Sequence, residues 1–336
     1  MERSRITQKR KKRRKKGLLK IFALTVLILI LGAAGYSGYL AYSINETAKD
    51  SYKEIEKSDL RMEDVALGED PVTILVVGIE DYAGGKGRAD VIQLYSINPK
   101  TKEKVVVSIP RDTRAYIEEV GYKDKITHSY SYGGIEATID TVENLLDVPI
   151  DYYVTTNFKG FEDTVDALGG ITVDVPFDFK YYDTDGRWVT FEEGKMKLDG
   201  REALAFVRMR KDDPQGDFGR NKRQQEAISA MMEKATSFST ITKVDNVLDS
   251  LGDNVTTNIT IKEMFALRNF YKDLLSKGFE KLTVKGENAY IDGIYFYEPD
   301  DESIDKISRQ LRDLLEITNQ PSGENEEQNS EETTYQ

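Results

Sequence analysis

The chain has 336 residues, 39% hydrophobic and 10% aromatic, enough to build a real core and to exclude wholesale disorder. It holds no cysteine and one histidine, which excludes disulfides, thiolate metal sites, cysteine nucleophiles and multi-histidine zinc sites. The net charge of −12 is unevenly spread: residues 1–20 carry eleven Lys and Arg against Glu2, a local +10 ahead of a body at −22.

The basic run abuts an uncharged stretch from Ile21 to Asn45, nearly continuous in aliphatic side chains as far as Leu31. A helix of about 20 apolar residues crosses a bilayer, and Tyr36, Tyr39 and Tyr42 suit its exit into the interface. Residues 21–44 are therefore expected to form one transmembrane helix. Residues 1–20 stay cytoplasmic as a basic tail, and the remainder lies outside the cell membrane. Anionic lipid explains the basic cluster, so no nucleic-acid partner is expected. A cleaved signal peptide is the competing reading, with Gly32, Ala33 and Ala34 near its cleavage site. Residues 45–70 are charged and poor in large apolar groups, which reads as a juxtamembrane stalk. A compact extracytoplasmic domain is expected over 71–319, followed by a disordered acidic tail at 320–336.

Within the domain, Val72–Ile79 is a β-branched apolar run with the pattern of a buried strand. Val91–Ile97 and Lys104–Ile109 form a hairpin around Asn98-Pro99-Lys100-Thr101. Gly134–Leu146 has helical spacing, Ile150–Thr155 and Ile171–Val175 read as strands, and a helix at Phe158–Leu168 stops at Gly169-Gly170. Further helices are predicted at Gly200–Val207, Gly219–Thr236, Ile261–Leu275 and Glu302–Ile317. The fold class is α/β, a mixed central sheet flanked by helices.

Chemistry concentrates on arginines. An extended Val207–Arg210 would project Arg208 and Arg210 from one face. In the helix from Gly219, the apolar stripe through Ala227 or Ile228, Met231 and Ala235 runs back by turns to Gln224 and Arg220. An inward arginine needs an anionic partner, and a helix N-terminus favours one. Arg111 follows the end of a buried strand, where α/β folds gather ligand groups. Glu80, Asp81, Arg88 and Asp90 lie at the neighbouring strand ends. Arginines with separated carboxylates fit a metal-assisted phosphate site: guanidiniums grip phosphate in bidentate fashion and hard oxygens hold Mg²⁺. The alternative is a network of Arg–carboxylate pairs tying strands together. His128 lacks a Gly-x-Ser-x-Gly partner for a catalytic triad. Asp183-Thr184-Asp185-Gly186 reads as a surface turn rather than a calcium loop.

The ordered segments ILVVGIE (74–80), GRADVIQLYSINPKT (87–101), VSIPRDT (107–113), KDKITHSYSYGG (123–134), DALGGITVDVP (166–176), LDGREALAFVRMRKDDPQGDFGR (198–220) and KRQQ (222–225) resemble the LytR–CpsA–Psr family of cell-wall phosphotransferases. The resemblance spans roughly Pro71 to Thr236. It implies an apolar tunnel for a polyprenyl chain, with a pyrophosphate and Mg²⁺, or Mn²⁺ in its place, at the mouth. It puts Asp90 and Glu80 near the metal, with Asp81 as a substitute ligand. It puts Arg88, Arg111, Arg208, Arg210, Arg220 and Gln224 on the pyrophosphate, and makes Asp90 and four arginines (111, 208, 210 and 220) the catalytic set. Two positions depart from the family pattern: Glu80 stands where Asp is usual, and Tyr82 where Arg is frequent. The implied activity moves a glycopolymer such as teichoic acid or capsule from a polyprenyl pyrophosphate carrier to peptidoglycan. A peptidoglycan hydroxyl would attack the glycan-side phosphorus, with Asp112 or another carboxylate as base. A polyprenyl-pyrophosphate hydrolase and a membrane-tethered glycan-binding or regulatory protein are the alternatives.

Overall fold

The computed structural model describes residues 52–61, 63–80, 87–235, 254–260, 263 and 278–317. The basic tail, the expected span at 21–44, Asp81, Tyr82, all but one residue of the expected helix at 261–275, and the tail at 320–336 lie outside the described residues.

Fourteen strands and five α-helices are described. Six strands build the central sheet: β1 (Val72–Glu80), β2 (Arg88–Ile97), β3 (Lys104–Ser108), β6 (Tyr152–Asn157), β11 (Val255–Thr257) and β12 (Glu280–Thr283). Their spatial order is β11-β6-β1-β2-β3-β12. The β1–β2 and β2–β3 pairs are antiparallel, whereas β1–β6 and β3–β12 are parallel, so the sheet is mixed as expected.

Alternation along the strands assigns the two faces. Leu75, Val77 and Leu94 point to a core shared with α1 (Ser129–Leu146) and α5 (Asp301–Leu314), through residues such as Ile139, Val142, Ile307 and Leu311. Ile74, Tyr95 and Val106 point to the other face, where Ile228 and Met232 pack. Those two residues belong to α4 (Asp217–Ala235). A third cluster joins α2 (Phe158–Ala167), α3 (Gly200–Arg208) and α4 to β7 (Ile171–Val175), β8 (Phe179–Tyr182), β9 (Trp188–Phe191) and β10 (Gly194–Leu198). Two hairpins complete the fold: β4 (Arg114–Ile117) with β5 (Tyr122–Lys125), and β13 (Gly286–Ile291) with β14 (Ile294–Pro299).

Helix ends follow local chemistry. Asp199 and Glu202 form a reciprocal capping box on α3, each side chain accepting the other's backbone N–H. Asn157 caps α2 by accepting from the Gly160 amide at 2.8 Å. Helix α1 begins five residues earlier than the apolar spacing indicates, and Gly134, at φ 74° and ψ −148°, breaks its helical geometry inside. The Asp183–Gly186 segment is a turn between β8 and β9, closed by the Arg187 and Asp185 amides donating to Asp183 Oδ1.

Packing begins before residue 71. Leu67 is buried with Val72 and Ile74 on the face of the sheet where Ile228 and Met232 pack. Arg61 donates to both Asp151 oxygens, at 3.0 and 2.9 Å, and to the Pro71 carbonyl. Composition alone hid this, because the segment docks through one enclosed ion pair, three scattered apolar side chains (Ile55, Val65 and Leu67) and a backbone bond from the Lys53 amide to the Thr257 carbonyl.

Candidate functional site

A cavity of about 510 Å³ lies between the sheet and helices α2, α3 and α4. Val76, Gly78, Val91, Val154 and Thr156 line its sheet side, and Phe158, Phe161, Leu168, Leu204, Val207, Ile228, Met231 and Met232 line its helical side. The volume lies inside the range of about 300–1,000 Å³ usual for ligand sites. Its charged lining residues are Glu80, Asp90, Arg111, Arg208 and Arg220, with Gln224 beside them.

The α4 stripe delivers Arg220 and Gln224. Residues 220, 224, 228, 231 and 235 all line the cavity, the spacing of one helical face. Apolar side chains occupy the later turns and polar ones the first two, so one helix spans both halves of the site.

Asp90 reaches the cavity through an irregularity in β2. Gly78 pairs with Val91 and Ile79 with Ala89, so Asp90 is an extra residue with no opposite number. Such a bulge re-aims side chains, and here both Asp90 and its neighbour Val91 face the same cavity. Gly78 permits the close approach, since a Cβ there would sit 2.9 Å from the Val91 Cβ.

The charged end is one connected cluster. Arg111 Nη1 lies 3.1 Å from Asp90 Oδ2 and its Nε 3.7 Å from Asp112 Oδ2. Thr127 donates to Asp90 Oδ1 at 3.2 Å, and Lys125 Nζ lies 2.9 Å from Asp112 Oδ1. Burial alone would raise the Asp90 pKa; a hydrogen bond from Glu80, the Arg111 charge and Thr127 outweigh it and hold the carboxyl below its ordinary value. Burial likewise opposes the charge on Arg111, but Asp90 and Asp112 overcome it and raise its pKa.

Arg220 is less satisfied. Asp217 Oδ1 lies 3.0 Å from its Nη2 and 2.8 Å from Arg210 Nε, contacts that are ionic without hydrogen-bond geometry. Its buried Nε has no hydrogen-bond partner. Burial, with Arg111 and Arg210 adding like charge, lowers its pKa despite Asp217. A desolvated guanidinium with an idle donor suits an incoming anion.

Arg208 ends α3, and Met209 then turns extended at ψ 134° and is fully buried. The helix replaces the extended face expected for Arg208 and Arg210. Arg208 lines the cavity, stacked over the Phe158 ring at 4.8 Å, whereas Arg210 is about half exposed and outside the lining. Arg88 is exposed on β2 and also outside the lining. Sequence reasoning did not single out Asp217, Thr127 or Lys125. The Gly216-Asp217-Phe218-Gly219 opening of α4 was the available signal for the first.

The residues present fit a divalent cation. Asp90 and Glu80 are close enough to share a hydrogen bond, so two hard oxygen donors converge beside the arginines. Among the described residues no group of three or more His, Cys, Asp or Glu gathers. Mg²⁺ is held in this way by one or two carboxylates with water and substrate phosphate completing its shell.

The LytR_cpsA_psr family model matches residues 38–313. The polyisoprenyl-teichoic acid–peptidoglycan teichoic acid transferase TagU of Bacillus subtilis is 41% identical over 91% of this chain and 98% of its own length. TagV of the same organism, with the same transferase name, is 41% identical over 90% of this chain and 79% of its own. The crystal structure of B. subtilis TagV superposes with a TM-score of 0.68 at 42% identity, covering 75% of this chain and 99% of that one. TagT bound to LIIa-WTA gives 0.66 at 33% identity, covering 78% and 97%. With a matching family model over most of its length, relatives above 40% identity and the same mixed-sheet fold, the chain belongs to the LytR–CpsA–Psr family.

Proposed function

We propose that this chain transfers a teichoic acid or similar glycopolymer from a polyprenyl pyrophosphate carrier to peptidoglycan, the reaction named for its TagU and TagV relatives. The observation that carries the reading is a largely apolar cavity lined by the Arg111–Asp90 pair, by Arg208 over the Phe158 ring and by Arg220, a desolvated arginine with an unpartnered donor. An amphiphile with a long hydrocarbon tail and an anionic head matches that division.

In this reading the tail lies against Val154, Phe161, Leu204, Ile228 and Met231. Arg111, Arg208 and Arg220 grip the pyrophosphate, and Gln224 adds an amide donor. A peptidoglycan hydroxyl attacks the glycan-side phosphorus, forming one P–O bond while the bridging P–O bond to the polyprenyl phosphate breaks. The hydroxyl proton passes to a carboxylate, with Asp112 beside Arg111 as the candidate. The arginines stabilise the charge developing on the phosphoryl and leaving oxygens. Asp90 and Glu80 would hold Mg²⁺, or Mn²⁺ in its place, whose contribution when bound is to neutralise pyrophosphate charge as a Lewis acid. The expected span at 21–44 would tether the domain outside the membrane, where carrier and wall meet.

The test incubates full-length protein with lipid-linked donor and peptidoglycan and analyses products by mass spectrometry. Glycopolymer joined to peptidoglycan through a phosphodiester is the expected result. Free glycan phosphate, released at the same rate with or without peptidoglycan, would make the protein a hydrolase and overturn the proposal.

A further inference from the structure

A second, small hollow of about 50 Å³ shares Arg111 and Arg220 with the main cavity and no other lining residue. Its remaining walls are Pro110 and Asp112 from the turn before β4, Asp217, Phe218 and Asn221 from the start of α4, and Asn288, Tyr295 and Tyr297 from the β13–β14 hairpin. The two guanidiniums therefore separate an apolar chamber from a polar and aromatic one.

The hairpin presents one chemically uniform face there. Asn288 pairs across the strands with Tyr297, and Tyr290 with Tyr295, so these four side chains share a side. Tyr290 is 75% exposed and Phe218 50%. Tyr290 and Tyr295 rings meet at 5.6 Å, and Phe218 and Tyr297 at 6.5 Å. Tyr295 donates its hydroxyl to Asn288 Oδ1 at 2.9 Å, which fixes the amide orientation. The hairpin is also held in place beside Arg111. The Tyr297 amide donates to the Asp112 carbonyl at 2.8 Å, and Arg114 reaches Glu298 at 3.3 Å.

We infer that this face is the acceptor subsite, where a neutral saccharide of the peptidoglycan glycan strand lies with one hydroxyl in the hollow. The inference rests on the transferase reading given above. In-line displacement places attacking and leaving oxygens on opposite sides of phosphorus. With the polyprenyl phosphate leaving into the apolar cavity, the acceptor enters from the far side of Arg111 and Arg220, which is the hairpin side. Exposed aromatic rings offer apolar faces to sugar C–H groups, and Asn288 and Asn221 offer amides to hydroxyls. The hollow has room for about one or two water-sized groups, enough for one hydroxyl arm while the ring rests on the exposed aromatics. The Tyr295 hydroxyl, raised in pKa by burial and by Asp112 and Asp217, stays protonated as a donor.

The test compares full-length wild type with Tyr290→Ala, Phe218→Ala and Asn288→Ala, all at exposed positions. Two readouts are used: transfer kinetics against a soluble, uncrosslinked peptidoglycan oligomer, and calorimetric binding of that oligomer without donor. The expected result is a tenfold or greater rise in acceptor KM, with donor KM and kcat within twofold, and a matching loss of oligomer binding. A rise in donor KM alone would assign the hollow to the donor glycan and overturn the inference. Unchanged acceptor KM and unchanged binding in all three variants would also overturn it. If wild type binds the oligomer but transfers nothing, the transferase reading fails and the binding comparison still decides whether the hairpin holds saccharide.

Discussion

Arg223 and Asp213 form an ion pair with both side chains 2% exposed, enclosed beneath the turn that joins α3 to α4. Arg223 also donates to the Phe206 carbonyl at 3.0 Å and to the Met209 carbonyl. It is one turn away from Arg220 on the same helix, yet its valences are filled from within. Its task is to fasten the turn that positions Arg208 and Arg210. Breaking a buried pair by removing one partner costs about 3–5 kcal/mol. Arg223→Ala should therefore lose most of the fold's stability in urea unfolding, and Gly219→Ala should follow it in part, because a Cβ there would run into the Asp213 carboxylate. Wild-type midpoints in both would show that the turn is held by something else.

Arg220→Leu should separate stability from activity. Its charge is desolvated and its Nε idle, so the thermal midpoint should be at or above that of the wild type. Transfer should fall by about 10²–10³, the loss of one preorganised donor to a developing oxyanion. Arg111→Ala should lose comparable activity and remain folded. Turnover near wild type in both variants would remove the arginine cluster from the reaction.

Lipid carried through purification reports the cavity directly. Native mass spectrometry of the wild type should find a bound polyprenyl phosphate or pyrophosphate. Met231→Trp should reduce that occupancy at least tenfold, since residue 231 lies on the cavity-facing stripe of α4. Equal lipid in both proteins would place the tail elsewhere.

Divalent cation should bind between Asp90 and Glu80, whose carboxyl groups lie within hydrogen-bond reach of each other. Adding Mg²⁺ should raise the thermal midpoint of wild type and leave that of Asp90→Asn unchanged, because ligand binding to the folded state alone stabilises it. An equal response in both would rule Asp90 out as a ligand.

Glu143 gives a pH signature away from the site. It is half-buried and accepts from the Ile150 amide at 2.5 Å, and burial pushes its pKa up to about 7 from 4.5. The folded state thus binds the extra proton between those values. Stability from this group is full below about pH 4.5 and is lost as pH rises through about 7. Glu143→Gln, which keeps the acceptor and drops the charge, should match wild type in thermal midpoint at pH 4.5 and exceed it at pH 8. Parallel curves for the two proteins would show that Glu143 titrates normally.

Much of this architecture was legible because periodicity and chemistry coincide. The stripe of α4 could be followed from Ala235 back to Gln224 and Arg220, since burial imposes the same spacing on apolar and ligand-facing residues. The three leading sheet strands announced themselves by β-branched runs. Other parts carry no such signal. The bulge at Asp90 depends on which residue β1 places opposite it, a fact of pairing rather than of local sequence. The β13–β14 hairpin, by contrast, did carry a local signal that sequence reasoning did not use: Asp292-Gly293, both at positive φ, stands between Ala289-Tyr290-Ile291 and Ile294-Tyr295-Phe296-Tyr297. Arg208, Arg220 and Arg223 look alike in sequence, and only the supply of carbonyls and carboxylates around each tells a lining guanidinium from a structural one.

The bulge that turns Asp90 and Val91 toward one cavity has a consequence for what length of carrier the fold accepts. Charge and hydrocarbon meet across a single peptide unit, so the border is fixed by covalent backbone and not by a mobile side chain. A carrier bound across that border is measured from its head. Polyprenyl tails differing by several isoprene units would then seat their phosphorus at the same point, and variation would be absorbed at the distant end of the chain.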